Sequence, residues 1–358
     1  MAATVIILAA GKGTRMKSQT VKVLHPVAGR PMLAYSLDLA SQLNPVQTLV
    51  VVGYQAAEVR EAFAGYRPPP RWVLQPEQKG TADAVRCALP FFQDNSETIL
   101  VLYGDVPLLR GSVVQGLLAS HREKGAQLTL LTADLEDPKG YGRIVRAETG
   151  EPLRVVEHAD ASEEQRGIRE INTGITCIEV PFLLEALGKL TATNAQGEYY
   201  LTDLVAYAVS QGLKVEWEKT REPFRALGIN TRKDLAEAES ILREEICVQW
   251  MLEGVSILDP GSTYIEPSVT LGRDTQIEPG CHLRGETRVG PGCRIGAGSV
   301  VADSHIGRGV EILPYSVVEG SEIADHCRVG PLTHLRAGRV ISGGGSLDDP
   351  SDRGRGKP

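Results

Sequence analysis

The stretch TVIILAAGKGTRM, residues 4–16, decides how the first half of the chain folds. Its opening run is apolar and rich in β-branched residues, which is typical of a buried strand. A glycine-rich turn follows at once, and such a turn lets backbone N–H groups approach a phosphate closely. Lys12 and Arg15 add positive charge there. The stretch has neither a Walker A motif nor a GxGxxG fingerprint, so a plain strand–helix turn with exposed basic residues remains an alternative.

Apolar runs and amphipathic stretches alternate over the next hundred residues. The runs lie at Thr48–Val52, Trp72–Leu74 and Ile99–Leu102, and the stretches at Leu33–Ala40 and Thr81–Leu89 carry apolar residues three or four apart. This alternation predicts a Rossmann-like α/β domain, with a parallel sheet covered by helices on both faces. Ligands of such sheets bind at the carboxyl ends of the strands.

The period of the aliphatic residues changes to six in the last third of the chain. Hexapeptide repeats predict a parallel β-helix in which each short strand points one aliphatic residue inward. Most residues four places after the aliphatic ones are small, and Cys281, Cys293 and Cys327 are among them. The aliphatic positions, which allow for two one-residue deletions, are Ile265, Leu271, Ile277, Leu283, Val289, Ile295, Val301, Ile306, Ile312, Val318, Ile323, Val329 and Leu335.

The cysteines and histidines of the chain do not form a metal-ligand pattern. Its six cysteines are scattered without a CxxC pair, which favours small buried side chains over a zinc site or disulfide framework. His282, His305, His326 and His334 share no ligand spacing, so we expect no metal cluster in the repeat domain.

These patterns predict four segments. Residues 1–230 form the α/β domain, 231–254 a helical connecting arm, 255–341 a short β-helix, and 342–358 a disordered tail rich in Gly, Asp, Arg and Pro. Thr231 and Asp234 predict the start of the arm, since a capping side chain and an acid suit a helix N-terminus.

Bulk composition narrows the function. The chain has 358 residues, 38 Lys and Arg against 45 Asp and Glu, and a net charge of −7. This balance argues against a nucleic-acid partner bound by a broad basic surface, although a few local cations can still hold phosphates. No run approaches the roughly 20 apolar residues of a membrane span. The apolar start lacks a basic leader, so we expect a cytoplasmic protein with no membrane partner.

A resemblance to a known family rests on ordered strings over the first 230 residues. The strings are LAAGKGTRM (8–16), KVLHP (22–26), GRPM (29–32), QPEQKGT (75–81), YGDVPL (103–108), GYGRI (140–144), VEH (156–158), EINTG (170–174), GEYYLTD (197–203) and GIN (228–230). With these strings the chain resembles the sugar nucleotidyltransferases, in particular the bifunctional bacterial N-acetylglucosamine-1-phosphate uridyltransferase/glucosamine-1-phosphate acetyltransferases, whose second domain is a left-handed β-helix.

The resemblance implies a reaction and a set of site residues. UTP and N-acetylglucosamine 1-phosphate would yield UDP-N-acetylglucosamine and pyrophosphate with Mg²⁺, and the chain would form a homotrimer through its β-helix. Implied catalytic residues are Arg15, Lys22 and Asp105, and implied metal ligands are Asp105 and Asn230. Implied nucleotide-binding residues are Leu8, Ala9, Ala10, Gly11, Lys12, Lys22, Gln75, Gly80, Thr81, Tyr103, Gly104 and Asp105. Implied sugar-phosphate-binding residues are Gly140, Glu157, Asn172, Tyr199 and Asn230.

Physical chemistry agrees with these roles but also offers plainer ones. In-line nucleotidyl transfer needs cations and alignment rather than a protein nucleophile. Asp105 follows an apolar strand, where a carboxylate can hold Mg²⁺ together with an amide oxygen. Taken alone, Asp105 could equally be a solvated loop acid, Asn230 a helix-start residue, and Thr81 a helix N-cap.

Departures from the family pattern leave other functions open. Val21 stands where a proline is common, so this loop is expected to be less stiff. Only HLRAG (334–338) matches the start of the acetyl-transfer site, so we expect acetyltransferase activity to be absent. The alternatives are a nucleotidyltransferase for another sugar 1-phosphate, an acetyltransferase, and a non-catalytic regulatory subunit.

Overall fold

The chain folds into two compact units. The structure is a computed structural model that describes residues 3–93, 95–342 and, for the backbone, 346–347. One unit comprises the residues up to 25 together with 31–234, and the other comprises 26–30 together with the residues from 235 onward. All of the predicted tail except residues 342 and 346–347 lies outside the described residues.

A nine-stranded sheet forms the centre of the first unit. Its strands are β1 (Ala3–Ala9), β2 (Gln47–Val52), β3 (Arg71–Leu74), β4 (Thr98–Tyr103), β5 (Leu128–Asp134), β6 (Arg143–Arg146), β7 (Pro152–Val156), β8 (Glu170–Glu179) and β9 (Val215–Lys219). They run in the order β9-β5-β8-β4-β1-β2-β3, and β6 pairs with both β7 and β8. A separate pair of two-residue strands, Pro26–Val27 and Arg30–Pro31, lies outside this sheet.

The direction of one strand corrects the sequence-based expectation of a parallel sheet. Strands β1 to β4 are parallel where they pair, as is β9 with β5. Strand β8, however, is antiparallel to β4 and β5, and it reaches that place after the antiparallel pair β6–β7. The sheet is therefore mixed. Hydrophobic periodicity could not reveal this, because a buried strand has the same pattern in either direction.

Helices cover both faces of the sheet, as alternate residues of β1 show. Ile6 and Leu8 belong to one apolar layer, and Val5 and Ile7 belong to the other. Because successive side chains of a strand point to opposite faces, one apolar strand supplies both layers. The helices are α1 (Met32–Gln42), α2 (Ala56–Ala62), α3 (Thr81–Ala88), α4 (Gly111–Lys124), α5 (Glu163–Arg166), α6 (Val180–Ala186), α7 (Asp203–Ser210) and α8 (Arg232–Leu252).

Reciprocal hydrogen bonds fix the start of α8, as predicted. The Asp234 carboxylate accepts from the backbone N–H of Thr231 at 2.9 Å, and the Thr231 hydroxyl accepts from the Asp234 N–H at 3.2 Å. Asp234 also accepts from the Asn230 N–H at 2.8 Å. Such bonds satisfy N–H groups that have no partner inside a helix. They also hold Asn230 in place.

The second unit contains the predicted left-handed β-helix. Three parallel sheets run along it, and all of the predicted aliphatic positions are buried. Cys281, Cys293 and Cys327 are buried in the same core, and the six cysteines of the chain are free thiols. The three sheets comprise Ser256–Ile257, Gln276–Ile277, Arg294–Ile295, Glu311–Ile312, Arg328–Val329 and Ser346–Leu347; Tyr264–Ile265, His282–Arg284, Val300–Ala302, Val317–Glu319 and His334–Leu335; and Thr270–Leu271, Arg288–Val289, His305–Ile306, Glu322–Ile323 and Val340–Ile341.

Candidate active site

A cavity of about 490 Å³ opens beside the carboxyl ends of β1, β3 and β4. This is the edge at which α/β sheets bind ligands. The cavity is lined by these predicted site residues: Leu8, Ala9, Ala10, Gly11, Lys12, Arg15, Lys22, Gln75, Gly80, Thr81, Tyr103, Asp105 and Asn230. It is also lined by residues that sequence reasoning did not single out as site residues: Gly13, Thr14, Val23, Gln78, Ala84 and Glu198.

Five predicted residues do not line this cavity, namely Gly104, Gly140, Glu157, Asn172 and Tyr199. Gly104 is packed instead, since a Cβ there would lie 3.1 Å from Leu33 and 3.2 Å from Ala9. The other four lie on segments that border the site. A Cβ at Gly140, for example, would lie 4.0 Å from Arg15 Nη1.

The glycine turn leaves room for a ligand and for a lysine stem. A Cβ added at Gly11 would meet no atom within 4 Å, so the backbone there is open. Gly13 has φ of 61°, and a Cβ there would lie 2.6 Å from the Cβ of Lys22. Glycine is therefore required at Gly13 both by the backbone conformation and by the close approach of Lys22.

Two cationic side chains meet at one amide oxygen. Asn230 Oδ1 accepts from Lys22 Nζ at 2.7 Å and from Arg15 Nη2 at 2.8 Å. Lys22 Nζ also forms a short ion pair with the Asp105 carboxylate, and both side chains are largely buried. The Asn230 amide is oriented by its own N–H, since Nδ2 donates to the Gly228 carbonyl at 2.9 Å. Two cations and two oxygen-bearing side chains therefore converge beside the glycine turn.

The donor set fits a hard divalent cation. Asp105 and Asn230 supply one carboxylate and one amide oxygen, the ligands that Mg²⁺ accepts alongside phosphates and water. In this structure the same two oxygens hold the Lys22 ammonium group between them. These two oxygens therefore already accept hydrogen bonds from a cation at this point.

The end of the cavity that is predicted to bind the base is built around Gln75, whose side chain is almost wholly buried. Its Nε2 donates to the Gly80 carbonyl at 3.1 Å and to the Asp83 carboxylate at 2.9 Å. The Thr81 hydroxyl is not the cap of α3, because it accepts from the Leu201 N–H at 2.9 Å. The plain interpretation of Thr81 as an N-cap is thus wrong.

Two backbone hydrogen bonds join the Lys79–Ala82 segment to the segment that carries Tyr199. The Tyr199 N–H donates to the Lys79 carbonyl at 2.8 Å, and the Ala82 N–H donates to the Tyr199 carbonyl at 2.9 Å. Gly80 has φ of 104°, and a Cβ there would lie 2.4 Å from the Tyr199 carbonyl oxygen. Only glycine fits this crossing without a shift of backbone.

The residues predicted to bind the sugar include a partly buried carboxylate, Glu157. Glu157 accepts from the Thr202 hydroxyl at 2.9 Å, and Gly142 leaves room for it, since a Cβ at Gly142 would lie 3.2 Å from Glu157 Oε2. Burial raises the pKa of Glu157, and the nearby carboxylates of Asp203 and Asp160 raise it further, whereas the Thr202 bond opposes the shift. A carboxylate in this position can accept hydrogen bonds from sugar hydroxyls.

Tyr103 connects the two ends of the site. Its ring lies against Gly174, where a Cβ would come within 2.5 Å of Cε2. Burial raises the pKa of Tyr103, and the carboxylates of Glu157 and Asp105 add to the effect. Asn172 precedes Gly174 by two residues in the sequence, and its Oδ1 accepts from the Gly174 N–H at 3.2 Å. Tyr103 is therefore held neutral between the predicted metal ligand and the predicted sugar ligand.

A buried arginine supports the Gly140–Gly142 turn. Arg143 is 1% exposed, and its guanidinium donates to the Tyr141 carbonyl and to the Arg166 carbonyl, the latter at 3.4 Å. Its Nε finds no partner among the described residues. Burial raises the pKa of Tyr141 to about 12, and the carboxylates of Asp234 and Asp105 add to the effect. Sequence reasoning quoted GYGRI but gave Arg143 no role.

Comparison with known proteins agrees with this fold. A model of the MobA-like NTP transferase domain matches residues 5–173, and a model of the bacterial transferase hexapeptide (six repeats) matches residues 268–303. The bifunctional protein GlmU of Pelobacter propionicus is 48% identical over 337 residues, which cover 94% of this chain and 73% of that protein. The bifunctional protein GlmU of Brevibacillus brevis is 46% identical, with 96% and 74% covered.

The predicted resemblance and fold class are therefore confirmed. A third relative, the bifunctional protein GlmU of Heliobacterium modesticaldum, is 43% identical over 95% of this chain and 73% of its own length. None of the helices in the described part of the chain has the length and apolar character needed to cross a membrane. With the nucleotidyltransferase domain, the hexapeptide β-helix and this degree of identity, the chain belongs to the GlmU family and is a nucleotidyltransferase.

Proposed function

We propose that the chain makes UDP-N-acetylglucosamine and pyrophosphate from UTP and N-acetylglucosamine 1-phosphate, with Mg²⁺ bound by Asp105 and Asn230. The observation that carries the proposal is the convergence of Lys22, Arg15, Asp105 and Asn230 at the mouth of the glycine turn. A polyanionic nucleotide needs cations at this point, and a metal site needs oxygens beside them. The fold brings both sets together from four separate segments.

Each group has a distinct part in this proposal. The open backbone at Gly11 and the cation of Lys12 receive the triphosphate. Lys22 and Arg15 turn from Asn230 towards the phosphates and stabilise the negative charge that builds up as pyrophosphate leaves. Bound Mg²⁺ supplies further neutralisation of phosphate charge. Direct transfer between the two substrates needs no protein nucleophile, so the protein's own contribution is alignment and electrostatic stabilisation.

The sugar phosphate would bind between the Gly140 turn and the Glu157 carboxylate. Glu157 accepts hydrogen bonds from sugar hydroxyls, and Asn172 contacts the N-acetyl group with its amide. Tyr199 and Asn230 complete this end, and Gly140 leaves room beside Arg15. The phosphate oxygen of the sugar then faces the α-phosphorus of UTP in line with the leaving pyrophosphate.

Pyrophosphate release from the purified chain tests the proposal. We expect release with Mg²⁺, UTP and N-acetylglucosamine 1-phosphate, and a loss of roughly a hundredfold or more in Asp105→Ala. Asp134→Ala is the matched control, because Asp134 forms an ion pair with Lys219 at 2.9 Å and both side chains are well exposed. Silence of the folded wild type with every nucleotide–sugar pair would favour a regulatory subunit instead.

Other sugar 1-phosphates are the nearest rival substrates. Mass spectrometry of the product, with glucose 1-phosphate and mannose 1-phosphate as competitors, separates this rival from the proposal. A product other than UDP-N-acetylglucosamine would overturn the substrate assignment and leave the nucleotidyltransferase class intact.

Three further expectations belong with this proposal. The β-helix is expected to assemble the chain into a homotrimer, which light scattering on the purified protein checks.

The absence of acetyltransferase activity stays a prediction, and release of thiol from acetyl-CoA with glucosamine 1-phosphate would contradict it. The substrates place the expected activity in the cytoplasm, which fractionation of cells checks.

A further inference from the structure

The side-chain amide of Gln75 has only one possible orientation. Its two terminal atoms are similar in size, and an amide can often be turned over without penalty. Here one terminal atom lies between the Gly80 carbonyl oxygen, at 3.1 Å, and an Asp83 carboxylate oxygen, at 2.9 Å. Both neighbours are acceptors, so the atom between them must be the NH₂ group. An oxygen there would face two oxygens and lose both hydrogen bonds.

The other terminal atom of Gln75 is therefore a fixed acceptor at the cavity. Gln75 is 3% exposed and lines the cavity beside Gly80 and Thr81. Oε1 accepts no hydrogen bond from any residue that the structure describes. In the cavity this oriented oxygen can therefore accept a hydrogen bond from a ligand.

Asp83 itself is held in place from the outer side. Arg86 Nη1 lies 3.7 Å from Asp83 Oδ1, and Arg86 is fixed in turn by a bond to the Leu187 carbonyl at 2.9 Å. The Arg86 guanidinium also lies over the ring of Tyr199, 4.8 Å from its centroid. The Asp83 side chain is 17% exposed, so water competes little for its oxygens.

The two pyrimidine bases differ at the atom that would meet such an acceptor. Uracil carries an N–H donor at N3, whereas cytosine carries a lone pair there. A fixed oxygen binds the first and repels the second, and a buried polar group left without its partner is penalised strongly. A freely turning amide would accommodate both bases.

We propose that Asp83 is a positioning residue that sets pyrimidine selectivity, by locking the Gln75 amide with its oxygen towards the base. The inference rests on the proposed use of UTP but names a residue and a discrimination that this use does not require. Asp83 acts through Gln75 alone, so its contribution should disappear when the amide is removed.

Calorimetric binding of UTP and CTP to the full chain with Mg²⁺ tests the inference. We expect wild type to prefer UTP, and Asp83→Ala to reduce the UTP-to-CTP affinity ratio by roughly tenfold, since the amide can then turn at the loss of a single bond. In the Gln75→Leu background, Asp83→Ala should change that ratio by less than about twofold, because no amide remains to be oriented.

Glu58→Ala is the matched control. Glu58 accepts from Gln55 Nε2 at 2.7 Å in the first turn of α2, the same kind of pair away from the cavity, and its removal should leave the ratio unchanged. If Asp83→Ala lowered the affinities for UTP and CTP equally, or changed their ratio by the same factor with and without Gln75, Asp83 would have only a structural role. Either result would overturn the inference. Wild type that binds neither nucleotide would overturn the proposed function along with it.

Discussion

Lys22 Nζ lies 2.7 Å from Asn230 Oδ1 and pairs at the same time with the Asp105 carboxylate. The two oxygens expected to bind a metal thus hold an internal cation. For a divalent ion to bind both oxygens, the ammonium group has to move away, and the negative charge of a triphosphate bound beside it would favour that movement. Bound nucleotide should therefore raise the affinity for the metal, and bound metal should raise the affinity for the nucleotide.

Replacement of Lys22 by methionine should strengthen metal binding to the free protein. Mn²⁺ titration followed by electron paramagnetic resonance measures this without turnover. Lys22→Met removes the competing charge, so we expect its affinity for Mn²⁺ without nucleotide to rise roughly tenfold. Lys12→Met, at an exposed lysine of the same cavity, should leave the affinity nearly unchanged. Equal affinities in wild type and Lys22→Met would show that Lys22 does not compete for the site.

Glu157→Gln should be more stable than wild type at neutral pH and less active. The folded protein raises the pKa of Glu157, chiefly by burial, above its value in the unfolded chain. Below the unfolded pKa both states hold the proton, and stability is lost as pH rises through the folded pKa. The melting-temperature advantage of Glu157→Gln should therefore be larger at about pH 8 than at about pH 4.

Kinetics provide the second half of that test. The glutamine keeps a partner for Thr202 but loses the charge, so KM for the sugar phosphate should rise roughly tenfold while KM for UTP stays within about twofold. An advantage in melting temperature that does not depend on pH would contradict the assigned ionisation of Glu157.

Gly80→Ala should weaken the binding of UTP by more than its effect on the stability of the whole protein would explain. Its Cβ would meet the Tyr199 carbonyl oxygen at 2.4 Å, and φ of 104° is disfavoured for alanine. We expect UTP affinity to fall by roughly tenfold or more. Gly188→Ala, where a Cβ would meet no atom within 4 Å, is the matched control. Calorimetry with both variants measures the effect, and unchanged affinity in Gly80→Ala would show that this crossing adjusts freely.

Ile295→Ala should destabilise the β-helix. Ile295 is completely buried, and deletion of such a side chain lowers the free energy of unfolding by about 2–5 kcal/mol. Val300→Ala, on an outward-facing and partly exposed position, should lower it by about 1 kcal/mol or less. Differential scanning calorimetry separates the two variants. Similar losses in both would contradict the assigned inward direction of Ile295.

Local patterns in the sequence predicted the fold, whereas the candidate site residues were implied by the resemblance to a family, and most of these residues line one cavity. The six-residue period identified the buried face of the β-helix, since every predicted aliphatic position is buried. The reverse direction of β8 was missed, because burial on both faces gives the same composition in either direction. The contact of Asp83 with Gln75 was missed because it depends on where a helix begins relative to a strand end, which spacing in the sequence does not determine.

The double hydrogen bond between Tyr199 and the Lys79–Ala82 segment has a consequence for engineering of the enzyme. Because the backbone of Tyr199 donates to Lys79 and accepts from Ala82, the Tyr199 segment and the Lys79–Ala82 segment hold each other in place. A graft that exchanges only the residues facing the base would leave the opposite loop without its hydrogen bonds. A change of nucleotide preference by loop exchange would therefore have to transplant both segments together, and natural variants in either loop should be accompanied by compensating changes in the other.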